Sequence, residues 1–301
     1  MTVDVYMENM SGLELTRHIM ETGPIPIVVV SRSYTPADSC AAEKLLEAGA
    51  VAAVAKPCSA DLDYADLADK LLQTIRTMSE IKVLRRLKRH KISKTSVLPL
   101  VDYRQKPMAV FIGASTGGPS VLKTILSGLS PQLPVPILVV QHITMGFLPG
   151  LVDWLNLVSA LSVKIAEDGE KLLAGKVYIA PDGYQMGVNG QHQVVLKHES
   201  VQSSVCPSVS YLFRSAAETY GSQCIAILLT GMGCDGAKEL KLLCDANALT
   251  VAQDEPSSAI FGMPGEAIKL NAAKAILQPA QIARLINETL RTPAYKGAVA
   301  D

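Results

Sequence analysis

Ser115 lies in Val-Phe-Ile-Gly-Ala-Ser-Thr-Gly-Gly-Pro (residues 110–119), where Gly113-Ala114-Ser115-Thr116-Gly117 fits the G-x-S-x-G pattern. The apolar run Met108 to Ile112 reads as a buried strand, and a helical pattern opens near Ser120. A strand–turn–helix setting of this kind presents a serine as a nucleophile on a strained turn. The glycines allow a tight backbone, and the helix start behind Ser115 offers N–H groups to a developing oxyanion. Two other readings stay open at this point: a Gly-rich loop that cradles a nucleotide phosphate, and a tight turn with no chemistry.

A nucleophilic serine needs a base, because its free hydroxyl is barely ionised at neutral pH. Of the five histidines, His18 falls in a helical pattern, His90 in a basic run, and His192 and His198 in a Gly/Gln-flanked hairpin. His142 differs, because it ends the buried strand Ile137–Gln141. The carboxyl ends of neighbouring parallel strands converge on one crevice, so His142 and Ser115 share an edge. A histidine there is either structural or the base. Asp235 follows a third apolar strand, Cys224 to Thr230, inside Gly231-Met232-Gly233-Cys234-Asp235-Gly236. Its plain role is a helix N-cap, and its chemical role is to hold His142 in one tautomer. The glycines around Met232 free backbone N–H groups for an oxyanion hole. Nucleotide binding is weakened by the missing G-x-G-x-x-G spacing, the missing phosphate-loop lysine, and Gln-His where a ribose would want an acid.

The chain that must position these groups has 301 residues, enough for two domains or one large one. Lys+Arg and Asp+Glu are both 28, so no charge bias points to nucleic acid. No apolar run reaches the length of a membrane span, and the N-terminus lacks the pattern of a signal peptide. The six cysteines (40, 58, 206, 224, 234, 244) include no C-x-x-C and read as small buried residues of a reducing compartment. Residues 1–80 alternate strand and helix: strands at Val3–Met7, Ile25–Ser31 and Ala50–Ala55, helices at Ser11–Glu21, Thr35–Ala48 and Asp61–Ser79. Residues 81–106 read as a linker, whose basic run at 82–94 is a solvated helix end in preference to the alternative of a nucleic-acid or lipid contact, since no aromatic platform accompanies the charge. A second α/β pattern covers 107–292, with strands at 108–112, 136–141, 163–166, 176–180, 193–198, 224–229 and 248–252. Its helices fall at 120–128, 147–159, 208–219, 236–245, 257–270 and 279–291, and a flexible tail covers 293–301.

These segments resemble the bacterial chemotaxis protein-glutamate methylesterase family. Its signatures recur in order as Ile-Gly-Ala-Ser-Thr-Gly-Gly (112–118), Gln-His (141–142) and Ala-Glu-Asp-Gly-Glu (166–170). They continue as Tyr-Ile-Ala-Pro (178–181), Leu-Thr-Gly-Met-Gly-x-Asp-Gly-Ala (229–237) and Phe-Gly-Met-Pro (261–264). The resemblance implies a three-layer α/β/α domain with a mostly parallel, Rossmann-like sheet. It implies a cytoplasmic serine hydrolase that removes methyl esters from glutamyl side chains of chemoreceptors and deamidates glutamines. Ser115 would be the nucleophile, His142 the base and Asp235 its orienter, with Thr116 near the histidine and the Met232 backbone in the oxyanion hole. No cofactor or metal serves the hydrolase in this reading. Receptors and a chemotaxis histidine kinase are the implied partners, with no nucleic acid and no membrane insertion.

Departures from the family pattern carry an expectation of their own. Val205-Cys206-Pro207-Ser208-Val209-Ser210 stands where the family carries a His-Arg pair before Pro-Ser-Val-Asp, Gly265 where an Arg is frequent, and Gln185 where a His is common. Charged groups that meet the receptor are therefore expected to be fewer. That motivates an alternative, a catalytically weak regulator that binds receptor or kinase.

Residues 1–80 resemble the second half of a response-regulator receiver domain, a truncated flavodoxin-like fold. Asp4 matches the phosphoacceptor, Ser31 the hydroxyl after the receiver's fourth strand, and Lys56-Pro57 the Lys-Pro after its fifth, while Glu8 replaces a usual Pro. The strand and acidic pair that would precede Asp4 are absent from the sequence, so an exposed sheet edge is expected. Phosphorylation with Mg2+ at Asp4 is expected to be inefficient, and activity insensitive to phosphodonors.

Overall fold

The computed structural model describes residues 1–7, 10–31, 41–42, 44–46, 48–57, 64–79, 103, 105–198 and 205–291. The basic run with His90, most of the 81–106 linker, the tail, Glu8, Cys40, Cys58 and the first part of the Thr35–Ala48 helix lie outside the described residues. Two compact units form. One comprises Met1–Val97 with Ile143–Trp154, the other Leu98–His142 with Leu155–Asp301.

The first unit has a three-stranded parallel sheet in the order β1 (Thr2–Asp4), β2 (Val28–Ser31), β3 (Ala52–Ala55). Helix α1 (Gly12–Thr22) starts where the sequence places it. Ser11 accepts from the Glu14 N–H while Glu14 reaches back to the Ser11 N–H, a capping box. The described residues of 41–48 are helical and stop at Gly49, and α2 (Tyr64–Ser79) follows β3. Val3, Val29, Ile27, Leu45 and Met20 form the core. Phe147, 2% exposed, belongs to the same cluster, and Thr144 Oγ1 donates to the Ala53 carbonyl at 3.1 Å. Residues 143–154 thus pack with this unit although in sequence they follow the Ile137–Gln141 strand of the other.

The second unit is a seven-stranded, wholly parallel sheet whose strands run, edge to edge, β12 (Ala275–Leu277), β11 (Leu249–Gln253), β10 (Cys224–Leu228), β4 (Ala109–Ala114), β5 (Ile137–Gln141), β7 (Lys176–Ile179) and β6 (Ser162–Ile165). Its centre is β10 (Cys224–Leu228), β4 (Ala109–Ala114) and β5 (Ile137–Gln141), buried at every position. Strands covered on both faces show continuous apolar runs instead of alternation, which is why these three are legible in the sequence. β6 (Ser162–Ile165), β7 (Lys176–Ile179) and β11 (Leu249–Gln253) also fall where expected, within a residue or two.

Alternation within the strands divides the core into two layers. Phe111, Leu138, Tyr178, Ala226 and Leu228 face α5 (Val209–Tyr220), α6 (Ala237–Asp245) and α7 (Met263–Lys269). Val110, Ile112, Ile137 and Val139 point the other way, where α3 (Gly118–Ser127) and α8 (Pro279–Arg291) are joined by Asn287, which donates to the Gly128 carbonyl at 2.8 Å. Helix α4 (Leu148–Val158) begins among the residues of the first unit and ends among those of the second. The expected α/β/α architecture is the one observed.

Two strands depart from expectation. β8 (Tyr184–Val188) pairs antiparallel with β9 (Val194–His198) in a separate hairpin, and the three-residue β12 (Ala275–Leu277) closes the sheet edge. Helix α7 begins at Met263, six residues later than the pattern from 257 suggests. The residues before it form a turn whose Ile260 carbonyl and N–H both bond to Thr230 Oγ1.

Candidate active site

Ser115 follows β4 directly and His142 follows β5. Ala114 and Gln141 are paired in register, and the His142 N–H donates to the Ala114 carbonyl at 2.9 Å. The two side chains therefore leave adjacent strand ends. Gly117 caps α3 at φ +80°, a left-handed conformation, and a Cβ there would lie 2.5 Å from the Ala259 Cβ. Gly231 backs onto the serine: a Cβ on it would approach Ser115 Cβ to 2.7 Å. The turn comes this close to the β10 loop because Gly231 lacks a side chain, and to Ala259 because Gly117 does.

The turn is held from beneath by buried polar groups. Ser115 N–H donates to the Thr230 carbonyl at 3.0 Å, and Thr230 Oγ1 donates to the Thr116 carbonyl at 2.9 Å. Thr230 N–H in turn donates to Gln253 Oε1 at 2.8 Å. On the other side Gln141, 2% exposed, donates from Nε2 to the carbonyls of both Ser115 (2.9 Å) and His142 (2.8 Å). Its Oε1 is buried without a partner among the described residues, a penalty of about 1–3 kcal/mol for an amide that ties the two turns together.

Asp235 comes from the loop after β10 and reaches His142 beyond the end of β4. His142 Nε2 and Asp235 Oδ2 are 3.0 Å apart, with the side chains 19% and 14% exposed. The same carboxylate collects the start of α5: Oδ2 accepts from Val209 N–H at 2.7 Å, and Oδ1 from Ser210 N–H at 2.9 Å and Ser208 Oγ at 3.0 Å. Asp235 is therefore an N-terminal partner of α5, not the cap of its own following helix. That cap is Gly236, with no side-chain bond. Burial by itself raises the Asp235 pKa, but hydrogen bonds from His142 and Ser210 outweigh it and hold the carboxyl well below the ordinary range. An ionised carboxylate only accepts, so Nε2 carries the imidazole proton and Nδ1 keeps its lone pair.

Ser115 Oγ makes no hydrogen bond to His142 among the described residues, and neither does Thr116. The free donors at the α3 start are fewer than the sequence suggests. Gly118 N–H is taken by the Ser115 carbonyl at 2.8 Å, and Pro119 has none. The N–H groups of Thr116 and Met232 donate to no described residue, and Met232 lies in an exposed loop beside Gly231.

Of the positions where family charges are missing, Val205 is exposed, whereas Gln185 and Gly265 lie inside. Gln185 is 3% exposed, and Gly265 is buried against Phe261, where an added Cβ would lie 3.1 Å from the ring. Thr230, Gln253, Ser208 and Gln141 support the site without having stood out in the sequence; a polar residue closing an apolar strand is the signal that marks Gln141 and Gln253. Among the cysteines, Cys224 is buried, Cys206 and Cys244 half-buried and Cys234 exposed, all unbridged, so the buried expectation fails for Cys234.

At the end of β1, Lys56 Nζ lies 2.6 Å from Asp4 Oδ2, and Ser31 is 3% exposed at the end of β2. No group of three or more His, Cys, Asp or Glu able to hold a metal forms among the described residues. Among the described residues, Asp4 paired with the Lys56 ammonium offers Mg2+ fewer oxygen ligands than it takes.

Residues 110–286 match the family described as CheB methylesterase. Among curated proteins, protein-glutamate methylesterase/protein-glutamine glutaminase 1 of Syntrophus aciditrophicus is 44% identical over 290 residues, 95% of this chain and 83% of that one. The corresponding protein 3 of Hahella chejuensis is 46% identical over 293 residues, 95% and 84% of the two chains. Among solved structures, the Thermotoga maritima CheB methylesterase catalytic domain aligns with a TM-score of 0.58 at 37% identity, over 61% of this chain and 98% of that one.

Proposed function

The chain belongs to the CheB methylesterase family, and from that premise we propose that it hydrolyses glutamyl methyl esters on the cytoplasmic domains of chemoreceptors, deamidating glutamines there as well. The supporting observation is the 3.0 Å pairing of His142 with an ionised Asp235 next to the Ser115 turn at the carboxyl edge of a parallel sheet. Ser115 Oγ attacks the ester carbonyl while His142 Nδ1 takes its proton. The tetrahedral oxyanion is met by the Thr116 and Met232 N–H groups. Collapse expels methanol, which takes the proton from His142, or ammonia when the substrate is a glutamine. Water, deprotonated by the same nitrogen, then resolves the acyl-enzyme.

Asp235 keeps the proton on Nε2 and stabilises the imidazolium that forms. The enzyme acts where those receptor domains lie, in the cytoplasm, and no helix of the described residues is long and apolar enough to cross a membrane.

Methanol release from a methylated receptor cytoplasmic domain tests the reading. Ser115→Ala should abolish it, and a fluorophosphonate should label Ser115 stoichiometrically in the unaltered chain. Release that survives the substitution would remove Ser115 from the mechanism.

A further inference from the structure

Gln185 sits in β8, far in sequence from Ser115, His142 and Asp235, and its side chain is buried at 3% exposure. Nε2 donates to the Val205 carbonyl at 2.8 Å, and Oε1 accepts from the Ser208 N–H at 2.7 Å. One amide thus bridges both ends of residues 205–208, the loop that enters α5. Ser208 is the N-cap of α5: its Oγ accepts from the Tyr211 N–H at 3.4 Å and donates to Asp235 Oδ1 at 3.0 Å. The next two N–H groups, Val209 and Ser210, close on the same carboxylate. An N-cap residue lies outside the helical hydrogen-bond ladder, so its orientation is set by whatever holds the loop before it. Here Gln185 holds both ends of that loop.

We propose that Gln185 is a positioning residue for the hydrolysis, holding residues 205–208 so that Ser208 and the α5 start fix Asp235 against His142. The proposal rests on the triad assignment above. Both hydrogen-bonding roles of the amide are needed. Glutamate could accept from Ser208 but not donate to Val205, and methionine fills the volume and does neither.

The test uses the full chain with Gln185→Met, Gln185→Glu and Ser208→Ala, alone and combined with Asp235→Asn. Three quantities are read: kcat and KM on methylated receptor, the rate of fluorophosphonate labelling of Ser115, and the low-field proton NMR signal of the His142 Nε2–H. Gln185→Met should lower kcat and the labelling rate about 10–100-fold with KM little changed, and weaken the low-field signal. Gln185→Glu, keeping one bond, should lose less. On Asp235→Asn each substitution should add almost nothing, because its route of action is already cut. Full multiplicative losses in that background, or an unchanged kcat and proton signal, overturn the proposal. If Gln185→Met does not fold, Gln185→Glu and Ser208→Ala decide by the same criteria. Labelling and the proton signal do not depend on the ester substrate. Their dependence on Gln185 together with no methanol release from the unaltered chain would sink the substrate assignment and leave the clamp standing.

Discussion

His142 and Asp235 meet at 3.0 Å although their strands, β5 and β10, are separated by β4. The loop after β10 crosses the end of β4, so Ser115 emerges between the two strands that supply its partners. Asp235→Asn keeps the shape of this link but lets the side chain donate, which favours the wrong histidine tautomer. We expect kcat to fall by about 10⁴-fold with little change in KM. A loss below about tenfold in steady-state methanol release would mean that Asp235 does not govern the histidine.

The same carboxylate couples stability to pH. Its folded pKa lies below the ordinary carboxylate value because hydrogen bonds from His142 and Ser210 outweigh burial. The stabilisation is complete above the ordinary carboxylate range and is lost as the pH falls through that range toward the folded value. Asp235→Asn should be less stable than the native chain near neutrality, and the gap should narrow as the solution is acidified. Urea midpoints at a series of pH values measure it; a gap independent of pH contradicts the argument.

Gly117→Ala should destabilise the chain by at least about 1–2 kcal/mol, the cost of a left-handed alanine, before any displacement of Ala259 is added. Because Gly117 sets the turn that carries Ser115, fluorophosphonate labelling should slow as well. Chemical denaturation reads the first effect, and a native midpoint would show that the turn relaxes freely.

Thiol chemistry should separate Cys224 from Cys234. Burial pushes the Cys224 thiol up to about 12, so it has almost no thiolate at pH 8, whereas Cys234 is exposed in the Asp235 loop. Iodoacetamide on the native chain, followed by peptide mapping, should modify Cys234 and spare Cys224 until urea is added. Equal modification of both would contradict the packing of β10.

Local signals carry much of the fold. The Ser11/Glu14 box sets the start of α1, and the helical period places α8 at residues 279–291 without error. The fully apolar runs of β4, β5 and β10 mark the central strands. β8 escapes because Tyr-Gln-Met-Gly-Val has no clean alternation, and β12 because three residues carry no period. Ser115, His142 and Asp235 are visible as polar residues just past buried strands, each beside glycine or another polar group.

By itself, then, the sequence determined the element types other than β8 and β12, the parallel α/β class and the residues with chemistry at strand ends, because these follow from short-range periodicity and turn composition. Strand order was left to the tertiary structure, since apolar runs buried on both faces satisfy any permutation equally well. The fold alone decided that β4 lies between β5 and β10, and that Asp235 serves the start of α5 as well as His142. It also turned Gln185 into the core, where an isolated strand residue's contacts 20 and 23 positions away have no local signature. Hydrogen bonds between distant segments are specified only once the chain has packed.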